Sequence, residues 1–354
     1  MKRTIEIMDT TLRDGEQTSG VSFSVAEKLA LSKLLLDELN VDRIEIASAR
    51  VSDGELKAVQ EVSQWAQNSG HDQRIEILTF VDGGTSIDWM AQAGAKVQNL
   101  LTKGSLNHLK HQLKKTPDQH FKSIEENVFA AQKEGITTNV YLEDWSNGMR
   151  NSRDYVNDYL SFVANLPVKR VLLPDTLGVM TYYETFSFIS EVVKKHPQIH
   201  FDFHGHNDYD LSVANAMEAV RAGCHGLHLT VNGMGERAGN TPMASTVANL
   251  KDFLPEVEVN INESSLYKVS KLVATFTGFR IPANKPIVGQ NVLPKRPEST
   301  PMGIKRKTFI LTTSCPNDLV ELENTLLVKP LEKPIFKKTY KNWGLPSTMM
   351  KSKK

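Results

Sequence analysis

The feature that most constrains this chain is an alternation: eight short β-branched or aliphatic runs, each followed by a longer stretch of helical periodicity. The runs are 4–9 (TIEIMD), 43–48 (RIEIAS), 74–81 (RIEILTFV), 96–102 (KVQNLLT), 137–143 (TTNVYLE), 169–175 (KRVLLPD), 199–204 (IHFDFH) and 226–232 (GLHLTVN). Between most of them apolar residues fall at three-four spacing, as Leu31, Leu34, Leu35 and Leu39 do in 24–40. Val213, Ala216, Met217 and Val220 repeat the pattern in 211–222. Ser24 and Glu27 suit a capping box, and Gly70, Gly94, Gly135 and Gly223 stand where helices close. Eight strand–helix units in about 250 residues predict an α/β fold of the (β/α)8 or TIM-barrel type. A doubly wound open sheet shares the alternation and is the rival fold. A solenoid does not fit, because the spacing is uneven and no unit repeats another's sequence.

Composition narrows the function classes. The chain has 354 residues and a formal net charge of +1, so no global field recruits nucleic acid or an anionic membrane. No apolar run approaches the length that spans a bilayer, and the opening MKRTIEIMDT lacks a signal-peptide core. The two cysteines, Cys224 and Cys315, make neither a disulfide framework nor a metal-ligand spacing. The expectation is a cytoplasmic protein acting on small molecules, with no nucleic-acid or membrane partner.

In a barrel, functional residues stand just after the strands, where the βα loops form the open face. Here those positions hold Thr11, Arg13, Asp14 and Glu16; Glu143 and Asp144; Asp175 and Thr176. They continue with His204, His206, Asn207 and Asp208, then Asn232, Glu236, Arg237 and Asn240. His204 and His206 are two apart on a strand and so share a face. With a carboxylate from another strand end, Asp14, they make a mixed nitrogen–oxygen site for Mg, Mn or Zn. Arg13, between a strand and the glycine of RDGEQ, reads as a substrate-facing guanidinium. His225 and His228 read as structural, away from the open face. Lys110, Lys114, Lys115 and Lys122 read as a solvated outer face.

Four segments, DTTLRDGEQ (9–17), LPDTLG (173–178), HGHND (204–208) and NGMGERAGN (232–240), resemble the isopropylmalate, homocitrate and citramalate synthase family of TIM-barrel metallolyases. The resemblance runs from residue 4 to about 291. VDRIEIASARVS (41–52), NLLTKGSLNHL (99–109) and YLEDWSNG (141–148) are most similar to the citramalate branch. It implies an acyltransferase of isoleucine or leucine biosynthesis that condenses acetyl-CoA with a 2-oxo acid, and a homodimer. It implies that Asp14, His204, His206 and Asn240 bind a divalent metal, and that Arg13 polarises the keto oxygen. Glu143 would activate the acetyl group and Thr176 would hold the substrate carboxylate. Leu78, Leu101 and Tyr141 stand where the family sorts 2-oxo acids. Three bulky groups there favour pyruvate over 2-oxoisovalerate, a choice worth only ~1–3 kcal/mol. The alternatives are isopropylmalate synthase, a lyase of the same superfamily, or a product that binds metal without catalysis.

These readings divide the chain into a catalytic barrel, 1–260, the start of a C-terminal subdomain, 261–292, and a tail, 293–354. Residues 265–278 (SLYKVSKLVATFTG) read as one more helix. Beyond Val292 the chain is rich in Lys and Pro, the composition of a disordered tail, and it departs from the family's continuation. Yet PESTPMGI (297–304) can be written so that, two bases in, it reads GVHADGD, a stretch the family carries. In the same shifted frame Thr313 to Phe336 can encode LLPERFGRTRKYAFGKTSGKANI. The tail therefore reads as a frameshift from a one-base deletion near the Val292 codon. The lost segment includes a histidine that, in the family, reaches the neighbouring subunit's active site. Impaired turnover is the expected consequence.

Overall fold

The computed structural model describes residues 2–292. Eight parallel strands close into a barrel: β1 (Glu6–Asp9), β2 (Arg43–Ser48), β3 (Ile75–Phe80), β4 (Val97–Lys103), β5 (Thr137–Glu143), β6 (Val168–Asp175), β7 (Phe201–Gly205) and β8 (Gly226–Leu229). Neighbours pair in sequence order, and β8 closes on β1 with Glu6 opposite Gly226 and Met8 opposite His228. The open-sheet alternative is thereby excluded. The flanking helices are α1 (Val25–Lys33), α2 (Asp53–Ser69), α3 (Thr85–Ala93), α4 (Pro117–Lys133), α5 (Arg153–Val163), α6 (Tyr182–Lys195), α7 (Ser212–Arg221) and α8 (Met243–Phe253). The ninth, α9 (Leu266–Thr277), follows the barrel.

Local chemistry sets these elements. Ser24 and Glu27 form the capping box of α1, and Thr116–Gln119 and Thr181–Glu184 do the same for α4 and α6. The helical run after Ser24 continues beyond Lys33 as a π-helical turn, Leu34–Glu38. Gly70 and Gly94 end α2 and α3 in the left-handed conformation, where a Cβ is penalised. A two-residue strand, Arg3–Thr4, pairs with Val257–Glu258 beside the barrel.

Two shells of packing result. Outward-facing strand residues such as Ile7, Ile44, Ile46, Ile77, Val140 and Leu173 meet the helices in one large apolar core. Inward-facing residues are largely polar. Arg43 bonds Glu76 at 2.8 Å and also Asp202, Arg170 bonds Glu6 at 2.8 Å, and Asn99 bonds Glu45 at 2.8 Å. Buried charge is costly unless paired, and here each of these cations sits against a carboxylate. The α9 residues Leu266, Val269, Leu272 and Val273 join the apolar core, so 261–292 packs on the barrel. Among the described residues no helix is long and apolar enough to cross a membrane. Cys224 is buried and free. The tail at 293–354, with Cys315 and the expected disorder and frameshift, lies outside the described residues.

Candidate metal centre and substrate pocket

The site begins where β1 ends. Asp9 accepts hydrogen bonds from the Thr11 amide (3.0 Å) and hydroxyl (2.8 Å). The Thr11 hydroxyl oxygen accepts in turn from the Val231 amide (2.8 Å), tying the first βα loop to the eighth. Burial pushes Asp9 up to about 7 against those hydrogen bonds. The Gly15 amide returns to Thr10 O at 3.0 Å, and this turn aims Asp14 into the barrel mouth.

At the end of β7, His204 and His206 share a face, with Nε2 atoms 3.4 Å apart. Asp14 Oδ2 lies 3.5 Å from His204 Nε2 and 3.9 Å from His206 Nε2. All three side chains are buried, and one ligand atom from each lies within 4.8 Å of the others. Among the described residues no other three His, Cys, Asp or Glu converge in this way. Burial lowers the pKa of both histidines despite Asp14. Burial alone would raise Asp14, but Arg13, His204, His206 and the Asn240 amide hold it well below the carboxylate range. Two neutral imidazoles and an ionised carboxylate are the protonation states that ligation requires.

Asn240 lies across from His206 in an isolated antiparallel bridge. Its Nδ2 donates to Asp14 Oδ1 (2.7 Å) and Met234 O (3.1 Å), while its Oδ1 is buried with no partner. A buried amide oxygen with no partner, on a side chain bonded to Asp14, fits a cation held by that carboxylate. Gly235 makes room for this amide, since a Cβ there would stand 2.1 Å from Asn240 Nδ2.

Arg13 is clamped beside the cluster. It pairs with Glu45 at 2.6 Å and Asp14 at 2.8 Å, and its Nη2 lies 3.4 Å from the Tyr141 hydroxyl. Leu78, Tyr141 and Leu172, with Leu101 against them, form an apolar cluster inside the mouth, separate from the main core. The Tyr141 ring meets His204 edge-on at 5.9 Å, so this cluster adjoins the metal candidates.

Two other expected residues stand at the rim. The Thr176 oxygen accepts from the Asp144 amide at 2.9 Å, which leaves its proton free to donate. Glu143 faces Lys103, with which it pairs, and His108 Nδ1 at 3.5 Å, rather than the Asp14 cluster. The remaining strand-end residues join loops. Arg237 bonds Asp208 and Thr176 O, Asp175 accepts from the Val179 and Met180 amides, and Glu16 pairs with Lys28.

Three members escaped the sequence reading. Glu45 and Leu172 point inward by strand parity, a signal that was present, but their partners come from strands distant in sequence. His228 does not lie with His225, away from the open face. Strand β8 is so short that its third residue is level with His204, and there His228 touches Tyr141.

A sequence model of the HMGL-like family matches residues 4–273. A probable 2-isopropylmalate synthase of Methanopyrus kandleri is 33% identical over 347 residues, 97% of this chain and 67% of that protein. One from Ignicoccus hospitalis is 36% identical over 292 residues, 82% of this chain and 71% of that protein. A putative (R)-citramalate synthase of Methanopyrus kandleri is 33% identical over 288 residues, covering 81% of this chain but only 55% of that protein. Among solved structures, an HMG-CoA lyase of Bacillus subtilis superposes with a TM-score of 0.67 at 16% identity, over 79% of this chain and 96% of that one. At that identity the likeness concerns the fold.

Proposed function

The chain belongs to the HMGL-like family, and on that premise we propose that its barrel mouth joins the acetyl group of acetyl-CoA to a small 2-oxo acid, with pyruvate giving citramalate. The observation that carries the choice of pyruvate is the apolar cluster of Leu78, Leu101, Tyr141 and Leu172 beside Asp14, His204 and His206. Four bulky side chains leave room for a methyl group more readily than for a branched one. The names of several relatives favour a second reading, 2-oxoisovalerate giving isopropylmalate.

Asp14, His204, His206 and the Asn240 oxygen would hold a divalent ion, Mg, Mn or Zn. When bound, that ion supplies the Lewis acidity and the anchor for a 2-oxo acid. The chain's own residues do the rest. Glu143, paired with Lys103 at the rim, takes a proton from the acetyl methyl group. The carbon so freed attacks the keto carbon, forming the new C–C bond as the C=O π pair moves to oxygen. Arg13 stands ready to stabilise that oxygen's charge, and the Thr176 hydroxyl donates a hydrogen bond to the substrate carboxylate. Water then cleaves the thioester and releases CoA.

Residues 293–354, on the frameshift reading, lack the segment that completes this chemistry, and the chain as written turns over weakly or not at all. The Methanopyrus kandleri alignment over 97% of the chain runs past Val292, so the nucleotide sequence is the deciding observation. If the codons from 293 to 336 cannot yield the family peptide when shifted, the reading fails. The chain with its frame restored should release CoA faster with pyruvate than with 2-oxoisovalerate. The reverse order would favour the second reading, and no release with either would refute both.

A further inference from the structure

Outside the barrel, where α1 meets α2 and β2, lies a buried ammonium group, that of Lys28, whose side chain is 1% exposed. Its Nζ donates to both oxygens of Glu55 in the first turn of α2, at 2.7 and 2.8 Å, and to Ile46 O in β2 at 2.9 Å. It also pairs with Glu16 Oε2 at 2.8 Å. Burying an ammonium is costly unless it is paired, and Glu55 with the Ile46 carbonyl would already meet that need. The pairing with Glu16 goes further, because Glu16 belongs to the turn that follows Arg13 and Asp14.

Lys28 thus reaches the Arg13–Glu45 pair from two sides. On one side, Glu16 sits in Gly15–Gln17, directly after Asp14, and its second oxygen accepts from the Phe23 amide at 2.7 Å. On the other, Ile46 follows Glu45, whose Oε2 accepts from Arg13 Nε at 2.6 Å and from the Thr10 hydroxyl at 2.8 Å. The register of β2 on β3 shifts between Glu45 and Ala47, so the carbonyl that Lys28 takes belongs to the residue at this irregularity. Bulges re-aim neighbouring side chains, and here the neighbour is the partner of Arg13. Asp14 has an anchor of its own in Asn240 Nδ2 at 2.7 Å, from the loop after β8.

We propose that Lys28 is a positioning residue for Arg13: it ties the first βα loop to β2 from outside the barrel, and so fixes the direction from which the guanidinium meets the keto oxygen of the substrate. A binding group holds its geometry only when the residues behind it lock it in place, and Lys28 locks both the loop that bears Arg13 and the strand that bears Glu45. It acts only through Glu16 and the Ile46 carbonyl. The consequence for substrate rests on the 2-oxo acid reading above.

The test uses the full chain, with calorimetric binding of Mn2+ and then of pyruvate to the Mn2+-loaded protein. Glu16→Ala cuts the link to the loop but leaves Lys28 with Glu55 and Ile46. It should weaken pyruvate binding about tenfold, the scale for groups that orient a binding residue, and leave Mn2+ affinity within about twofold. Lys28→Met should weaken pyruvate binding as much, and Glu16→Ala carries the test alone where that variant does not fold. Glu55→Ala removes the other carboxylate; it should lower the melting temperature yet keep pyruvate affinity within about twofold. With Arg13→Gln already in place, Glu16→Ala should have no further effect on pyruvate. Undiminished pyruvate affinity in Glu16→Ala, an equal loss in Glu55→Ala, or the same loss on top of Arg13→Gln overturns the proposal. The 15N–1H signal of Arg13 Nε in the metal-free chain, identified by its loss in Arg13→Gln, reads the link without substrate. It should shift in Glu16→Ala and stay in place in Glu55→Ala; an unmoved signal in Glu16→Ala overturns the proposal. Absence of pyruvate binding to the unmodified chain alongside such a shift would count against the proposed reaction and uphold the link.

Discussion

Asp14, His204 and His206 come from the ends of two strands far apart in the chain, yet all three could be named from the sequence, because strand parity and the barrel rule place them. Arg13 belongs with them for the same reason. Leu78, Leu101 and Tyr141 came from the resemblance, and the structure gathers them into one cluster with Leu172. What the sequence hid were contacts across the barrel, such as Glu45 holding Arg13 or His228 holding Tyr141. These need the closed geometry, since no local pattern joins residues 13 and 45 or 141 and 228. Pocket size gives a direct test at this scale. Leu101→Ala removes three heavy atoms from the apolar cluster. It should move the preference toward 2-oxoisovalerate by ~1–3 kcal/mol in relative affinity, measured by calorimetry with both acids. Asn240→Ala should weaken Mn2+ binding about tenfold or more, comparable to the loss of a supporting group in other metal sites.

At the scale of elements, strand and helix positions were legible from periodicity, with boundaries within a few residues. The π-helical turn at Leu34–Glu38 was not, because it keeps the same apolar face as the helix it extends. Helix α4 illustrates a tie that periodicity does not reveal. Its His120 is buried, and Nε2 accepts from the Lys103 amide at the end of β4 at 3.1 Å. Burial, with Lys115 and Lys103 nearby, lowers this imidazole from 6.5 to about 4. Below pH 6.5 the unfolded chain therefore takes up a proton that the folded chain refuses. Stability is full above that pH and falls as the pH drops toward 4, by on the order of 3 kcal/mol. His120→Phe leaves the Lys103 N–H without its acceptor and should cost about 1–3 kcal/mol at pH 7. It should also flatten the loss of stability between pH 6.5 and 4, as read from urea unfolding at each pH.

For the whole molecule, the barrel was legible because eight units and their rhythm leave few closed alternatives. Its polar interior was not, since alternating Arg, Glu and Asn in a strand look like solvent-facing positions until the barrel closes on them. Arg43 is the cation on which that interior depends, pairing with Glu76, Asp202 and Glu6. Arg43→Met strands two fully buried carboxylates and should cost about 3–5 kcal/mol in unfolding free energy.

The account as a whole rests on the cluster at the strand ends being a metal centre. A calorimetric titration of the purified chain with Mn2+, beside its His206→Ala variant, tests this most directly. The account predicts one ion per chain for the unmodified protein and loss of that binding in the variant, with the barrel still folded by circular dichroism. Equal Mn2+ affinity in both, or no binding to either, would contradict it.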